Sequence, residues 1–410
     1  MTTGDARPAR QPLAALIAAD CLSRLGSALT ATAIPWFVLV TTGSVARTGV
    51  TVFAQGVGVV CALLFGGAIV DRVPPRRASM IADLAAGTAV TLVPLAASTV
   101  GLAFWQLLLL VFAAALLDTP AQVARYSALP DLARAAGVRF ERANAIFDAC
   151  LTASALVGPA LAGTLIAVVG AVNVVWLDGL SYGMSALLMV GVPWVVSGTA
   201  CTDVAGRYHQ RLIGALRWLR QEPVLFPLVV FFAVMNLAIG PIEAPILPVY
   251  AREVFRSPVA LGFMASAGAV GGLAGNALFA VFGHRVPRRT AFAAGFVTVP
   301  LAVTLLAFRP PLPAALLVLG VMGTGLSVTN LLEYTIYFER IPNGMRARIL
   351  GVAGAVGWGT VPLGRLLAGF AMAAVGLAPT LVGLAAAVLP VVLALLIVPT
   401  FRQLSPSAAD

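Results

Sequence analysis

The chain has 410 residues, of which 60% are hydrophobic and only 10% charged, and it carries a net charge of +10. That is too little charge to cover a water-soluble domain of this length, so the composition excludes the ordinary soluble classes and points to lipid as the solvent. The positive balance does not signal nucleic acid, because every basic residue is arginine and the arginines sit in short loops between apolar runs.

Twelve predominantly apolar runs follow one another at residues 13–41, 45–70, 78–98, 102–124, 143–170, 172–196, 224–250, 258–283, 290–307, 313–338, 349–375 and 379–399. Each has about the 20 residues that a membrane-crossing helix needs. None alternates as a barrel strand would, and helices satisfy their own backbone groups in lipid. The predicted fold class is therefore an all-α membrane protein of twelve transmembrane helices. With the N-terminus placed in the cytoplasm, twenty of the 26 arginines fall on the inside and four outside: Arg47, Arg252, Arg256 and Arg309. Arg24 and Arg365 lie within helices. This asymmetry places both termini in the cytoplasm.

The first helix carries Asp20 and Arg24 one turn apart, with Pro35 kinking its outer end beside Trp36 and Phe37. The pair is costly in lipid unless it faces protein or water. The second helix ends in a polar turn, Gly67-Ala-Ile-Val-Asp71-Arg72-Val-Pro-Pro-Arg76-Arg77. The turn recurs in part as Gly283-His-Arg-Val-Pro-Arg-Arg289; aligning Arg-Val-Pro on Arg-Val-Pro gives a shift of 213 residues, about half the chain. A half-chain repeat with the same turn in each copy is the simplest reading.

The third helix opens with Asp83 close to the cytoplasmic surface. The fourth carries Asp118 and Pro120 and gives way at Arg125 to a cytoplasmic connector that includes Asp131 and Arg142. The fifth holds Asp148 at its inner end, then Gly158, Pro159 and Gly163. The sixth contains Asp178. Residues 197–222 read as a cytoplasmic linker with a basic amphipathic helix lying along the inner leaflet. The domain organisation expected is thus a first six-helix lobe at 1–196, the linker, and a second lobe at 223–410. In the seventh helix, Pro227, Pro241, Pro245 and Pro248 surround Glu243, so that helix is broken or bent, as binding helices of transporters are. The tenth carries Asn330 and Glu333, and the eleventh Pro362 and Arg365.

Two six-helix halves with a Gly-xxx-Asp-Arg turn after the second helix resemble the major facilitator superfamily over nearly the whole chain. In the family's signature loop, Gly67, Asp71, Arg72, Arg76 and Arg77 match, and Pro74 and Pro75 depart from the usual Gly-Arg. The fifth helix is similar to the Gly-Pro motif of antiporters, with Ser154 at the first Gly position. The stretches RYSALPDL, ANAIFDACLTASALVGPALAG and WLDGLSYGMSALL resemble the twelve-helix drug exporters of the macrolide-efflux and siderophore-export branch.

The resemblance implies two pseudo-symmetric lobes working by alternating access, with helices one, four, seven and ten lining a central cavity. It implies that Asp71 sits against the N-terminus of helix eleven, where a carboxylate meets the positive end of a helix dipole. That contact would latch the outward-open state from the cytoplasmic side, and Arg72 and Arg76 would pair with Asp148. A basic residue in the middle of helix four, which many drug antiporters carry, is absent, and Arg24 stands in for it. Glu333 and Glu243, then Asp118, with Asp20 and Arg24, are the proton-coupling candidates, all on lining helices. Candidates for the substrate cavity are Trp36, Phe37, Phe231, Phe232, Met235, Asn236, Asn330, Tyr334 and Trp358, which suit a hydrophobic or cationic molecule.

The function expected is export of hydrophobic small molecules such as drugs, macrolides or siderophores, driven by a proton gradient and needing no bound cofactor or metal. The alternative is uptake of a lipid-like or nutrient solute. The chain has no Walker loop for an ATP-driven pump and no Ser/His or His/Asp/Glu grouping at catalytic spacing, so an enzyme is not expected. The partners expected are substrate, protons and membrane lipid, with no nucleic acid, around a monomer in a bacterial inner membrane; the arginine-rich, lysine-free composition suits a GC-rich bacterial genome.

Overall fold

The computed structural model describes residues 10–70, 73–99, 101–192, 208–342 and 345–397, with side chains described except at 65–70, 208–213, 284, 347 and 396. Among these residues there are twelve helices long and apolar enough to cross a membrane, and no strand. In chain order the helices are α1 (Arg10–Thr42), α2 (Val45–Val70), α3 (Pro75–Thr99), α4 (Phe104–Ala135), α5 (Phe140–Val169), α6 (Ala171–Val190), α7 (Tyr208–Gln221), α8 (Leu225–Phe255), α9 (Pro258–Phe282), α10 (Arg288–Ala307), α11 (Leu312–Arg340), α12 (Arg346–Gly359), α13 (Val361–Val375) and α14 (Leu377–Ile397). Helix α7 is the linker helix, so α8 is the seventh span. Helices α12 and α13 together make the eleventh.

The duplication shows in the turns. Helices α5 and α6 are joined through Gly170 alone (φ 85°), and α13 and α14 through Gly376 alone (φ 86°). A one-residue reversal with positive φ favours glycine, and the two halves use it at the same junction. The second copy of the polar turn, Gly283–Arg285, forms a single 3-10 turn.

The chain divides by its contacts into two compact units, one within Met1–Phe37 and Ala54–Asp203, the other within Val38–Phe53 and Val204–Asp410. The second unit includes the hairpin between α1 and α2 because Gly49 lies against the backbone of Gly369 and the Leu39 carbonyl accepts a hydrogen bond from Arg252 (2.8 Å).

Lipid tails are as apolar as the helices, so helix contacts here depend on close fit and small residues. In the first unit, a Cβ at Gly158 of α5 would lie 2.5 Å from the Cβ of Ala28 on α1, so only glycine permits this crossing. In the second, α9 and α11 meet through Gly268, Gly271 and Gly275 against Gly320, Gly323 and Thr324, and the Thr324 hydroxyl donates to the Gly271 carbonyl (2.9 Å). Phe231 and Phe232 of α8 pack edge-on to Phe296 of α10 at 5.0 and 5.4 Å between ring centres, forming an aromatic core with Phe292.

One expectation about the helices needs correction. Helix four does not stop before Arg125. It continues to Ala135, because Ala128, Leu129, Leu132 and Ala133 keep a helical stripe buried against Leu13, Leu16, Ala143 and Phe147. That packing holds the helix together across Pro130, whose missing N–H would otherwise favour a stop. The linker helix buries Ala215 and Leu219 by packing on α8 and α12, so protein covers that part of its apolar side. The eleventh span is two helices, interrupted at Thr360 just before Pro362. The bend expected in the seventh span is present: Ala244 is extended (φ −157°, ψ 127°) within a widened turn at Ile242–Ile246.

Candidate functional site

The first unit is built around one guanidinium. Arg125 on α4 is fully buried. Its Nε donates to Asp20 Oδ1 on α1 (3.0 Å), and its Nη1 donates to both oxygens of Asp83 on α3 (2.9 and 2.7 Å). Its Nη2 donates to the Ser23 hydroxyl (3.1 Å), and Nη1 also lies within hydrogen-bond reach of the Ser79 and Ser185 hydroxyls (3.4 and 3.2 Å). Asp20 also accepts from Arg24 Nε at 2.5 Å, and the Arg24 guanidinium stacks over Phe147 at 5.4 Å. Two arginines thus balance two aspartates at the meeting of α1, α3, α4 and α6. A buried carboxylate or guanidinium costs several kcal/mol, as an order of magnitude, unless it is paired and fully hydrogen-bonded. Here the geometry supplies both.

Sequence reasoning missed Arg125, and the expectation that helix four lacks a basic residue is corrected by it. A signal was present: Asp118, Gln122 and Arg125 repeat at i, i+4 and i+7, a polar stripe on one helix face. Reading a run-terminating arginine as a loop residue hid that stripe.

A cavity of about 90 Å³ lies in the same unit, lined in its polar part by Ser27, Thr30, Gln55, Asp118, Asp178 and Tyr182. Asp118 Oδ2 accepts from Gln122 (2.8 Å), while its Oδ1 is buried with no hydrogen-bond partner among the described residues. Asp178 accepts from the Ser181 hydroxyl (3.3 Å), and the Tyr182 and Ser27 hydroxyls share a hydrogen bond (3.0 Å). Neither carboxyl forms an ion pair among the described residues.

In the second unit, Glu333 on α11 accepts from the buried Tyr337 hydroxyl one turn on (2.7 Å), and it too forms no ion pair among the described residues. Glu243 at the bend of α8 lies 3.7 Å from Arg365 on α13, whose Nε donates to the Gly240 carbonyl (3.3 Å). The Glu243 side chain is 80% exposed. Helix α8 is tied to the α12–α13 break: the Thr360 hydroxyl donates to the Ala233 carbonyl of α8 (2.7 Å), and the Asn236 amide of α8 donates to the Gly357 carbonyl of α12 (3.2 Å).

Of the cavity candidates, Tyr334, Trp358 and Asn330 are exposed. Phe231, Phe232 and Met235 pack into the core of the second unit, Trp36 is buried and Phe37 half-buried. Of the polar turn, Asp71 and Arg72 lie outside the described residues, and Gly67 is described in its backbone alone. Arg76 donates to the Val190 carbonyl at the end of α6 (2.7 Å), and Asp148 accepts from Asn144 (3.0 Å). Pro159 and Gly163 sit within α5 beside the Gly158 crossing.

The chain has clear relatives in sequence and in fold. The chain is 31% identical over 407 residues to the multidrug efflux pump Tap of Mycobacterium tuberculosis (strain ATCC 25618 / H37Rv), covering 96% of this chain and 95% of that one. It is 29% identical over 401 residues to the multidrug efflux pump Tap of Mycolicibacterium fortuitum, covering 96% and 97%. In fold it is similar to the nucleoside transporter NupG (TM-score 0.77, 13% identity, 95% of this chain and 99% of that one). It is also similar to a bacterial homologue of the iron transporter ferroportin in its inward-facing state (TM-score 0.70, 17% identity, 97% and 100%). A sequence model of the Major Facilitator Superfamily matches residues 16–358. Its twelve apolar helices, the matched family model and these relatives together make this chain a multi-pass membrane transporter that belongs to the Major Facilitator Superfamily.

Proposed function

We propose that the chain exports hydrophobic small molecules in exchange for protons, as a monomer in a bacterial inner membrane with both termini in the cytoplasm. Near-full-length identity of 31% with a multidrug efflux pump supports the export of drugs. The observation that carries proton coupling is Glu333: a carboxyl on a membrane-spanning helix, held by one tyrosine hydroxyl, with no ion pair among the described residues. A group in that setting can take up and release a proton as access alternates, which a permanently paired carboxylate cannot do. Asp118 shares this character. Glu243 faces Arg365, and its proton exchange would be coupled to that pair. Asp20, Arg24 and Arg125 then serve as the fixed charge framework. The polar turn acts as the latch, with Arg76 anchored on α6; Gly158 lets α5 cross α1 closely.

The test compares two modes of transport in proteoliposomes. Glu333→Gln should lose substrate accumulation driven by a pH gradient by at least tenfold, yet retain downhill substrate exchange. Gradient-driven accumulation equal to that of the unmodified protein would remove Glu333 from coupling.

A further inference from the structure

The four arginines that break the inside bias are not scattered. Three of them, Arg252, Arg256 and Arg309, line a single cavity of about 440 Å³ in the second unit. The end of α8 supplies Arg252 and Arg256, and the loop after α10 supplies Arg309. The one acid at the cavity is Glu253, and neither it nor the three arginines form a salt bridge among the described residues. The lining therefore carries a formal charge of +2 in a concave space.

Two further observations bear on this cavity. Arg252 is fixed in place: its Nη1 donates to the Leu39 carbonyl at 2.8 Å, leaving a preset fork rather than a swinging chain. Arg256 and Arg309 are the two non-glycine residues with positive φ among the described residues (52° and 54°). A left-handed backbone at such a residue is strained and persists where the surroundings hold it. Both strained residues are arginines, and both line this one cavity.

Three like charges held together repel unless an anion lies among them. Guanidinium forks match the oxygens of phosphate in two-point hydrogen bonds, and they do so better than ammonium groups. Leu39, Val45 and Val249 form an apolar wall beside the charges, which suits an anion attached to a hydrocarbon-bearing group. We propose that this cavity binds a phosphate-bearing anion of glycerophosphate size, either as the headgroup of an anionic phospholipid or as a free phosphate ester. The bound anion would tie the end of α1 and the start of α2 to the ends of α8 and α10, all within the second unit.

The experiment uses the full-length protein in a neutral detergent. Native mass spectrometry measures retention of phosphatidylglycerol against phosphatidylcholine, and thermal unfolding is followed with added glycerol 3-phosphate. The unmodified protein is compared with Arg256→Gln/Arg309→Gln, with the charge-keeping Arg256→Lys/Arg309→Lys, and with Arg134→Gln as a control at an exposed arginine of the first unit. We expect at least tenfold preference for phosphatidylglycerol, lost in the Gln pair, partly kept in the Lys pair and unchanged in the control. Stabilisation by glycerol 3-phosphate with the same arginine dependence, without lipid retention, would identify a free phosphate ester as the source. Anion binding that is equal in the Gln pair, or binding of neither probe by the unmodified protein, overturns the proposal. Should the Gln pair not fold, a Lys pair whose phosphatidylglycerol preference and whose stabilisation by glycerol 3-phosphate both equal those of the unmodified protein overturns it likewise.

Discussion

At the scale of the residue, Arg125 sets the stability of the first unit. Its partners Asp20, Ser23, Asp83 and Ser185 lie 105, 102, 42 and 60 residues away in sequence. Removing one member of a buried ion-pair network leaves uncompensated charge and costs about 3–5 kcal/mol. Arg125→Leu should therefore lower the thermal midpoint in detergent sharply, whereas Arg24→Leu, at the slightly exposed edge of the same network, should lower it less. Equal midpoints for Arg125→Leu and the unmodified protein would contradict this. The Asp20–Arg24 pair was legible in the sequence because an i, i+4 pair on a helix is a local fact. The role of Arg125 was not, because every one of its partners is tertiary and an arginine at the end of an apolar run looks like a loop residue. Asp118 and Glu333 could be named from their helices, but the Gln122 amide and the Tyr337 hydroxyl that hold them become evident only in three dimensions.

At the scale of the element, the spans were readable because lipid demands long apolar helices, and the prolines around Glu243 announced the bend in the seventh. Helix ends were less readable, since packing overrides local stop signals: α4 runs through Pro130 because its apolar stripe has a core to dock into. The small-residue crossing of α9 and α11 makes a prediction of its own. A side chain at Gly271 would meet the backbone of Gly320, which cannot move without parting the helices. Gly271→Leu should destabilise the second unit by more than the ~1–3 kcal/mol typical of overpacking. Gly272→Leu one residue on, where a Cβ has only contacts at 3.9 Å, should cost much less. The check is the difference in thermal midpoint between the two variants. Equal midpoints would mean that this crossing does not constrain the fold.

At the scale of the whole molecule, the two copies have diverged in where they keep charge. The first unit holds a balanced, largely buried network of two arginines and two aspartates. The second holds Glu333 outside any ion pair among the described residues, pairs the exposed Glu243 with Arg365, and gathers basic residues at one end of its bundle. The repeat was visible in the sequence through the two polar turns, and it reappears as the matched single-glycine reversals at Gly170 and Gly376. The divergence was not visible, since it depends on which charges meet.

The central claim is proton-coupled export, and one measurement addresses it directly. The purified protein is placed in liposomes with an imposed pH gradient, and the movement of a fluorescent lipophilic cation is followed together with internal pH. The account predicts that dye moves against its gradient only while the pH difference lasts, and that dye movement dissipates that difference. Dye movement without any accompanying proton flux would contradict it, and Glu333 would then be a structural carboxyl.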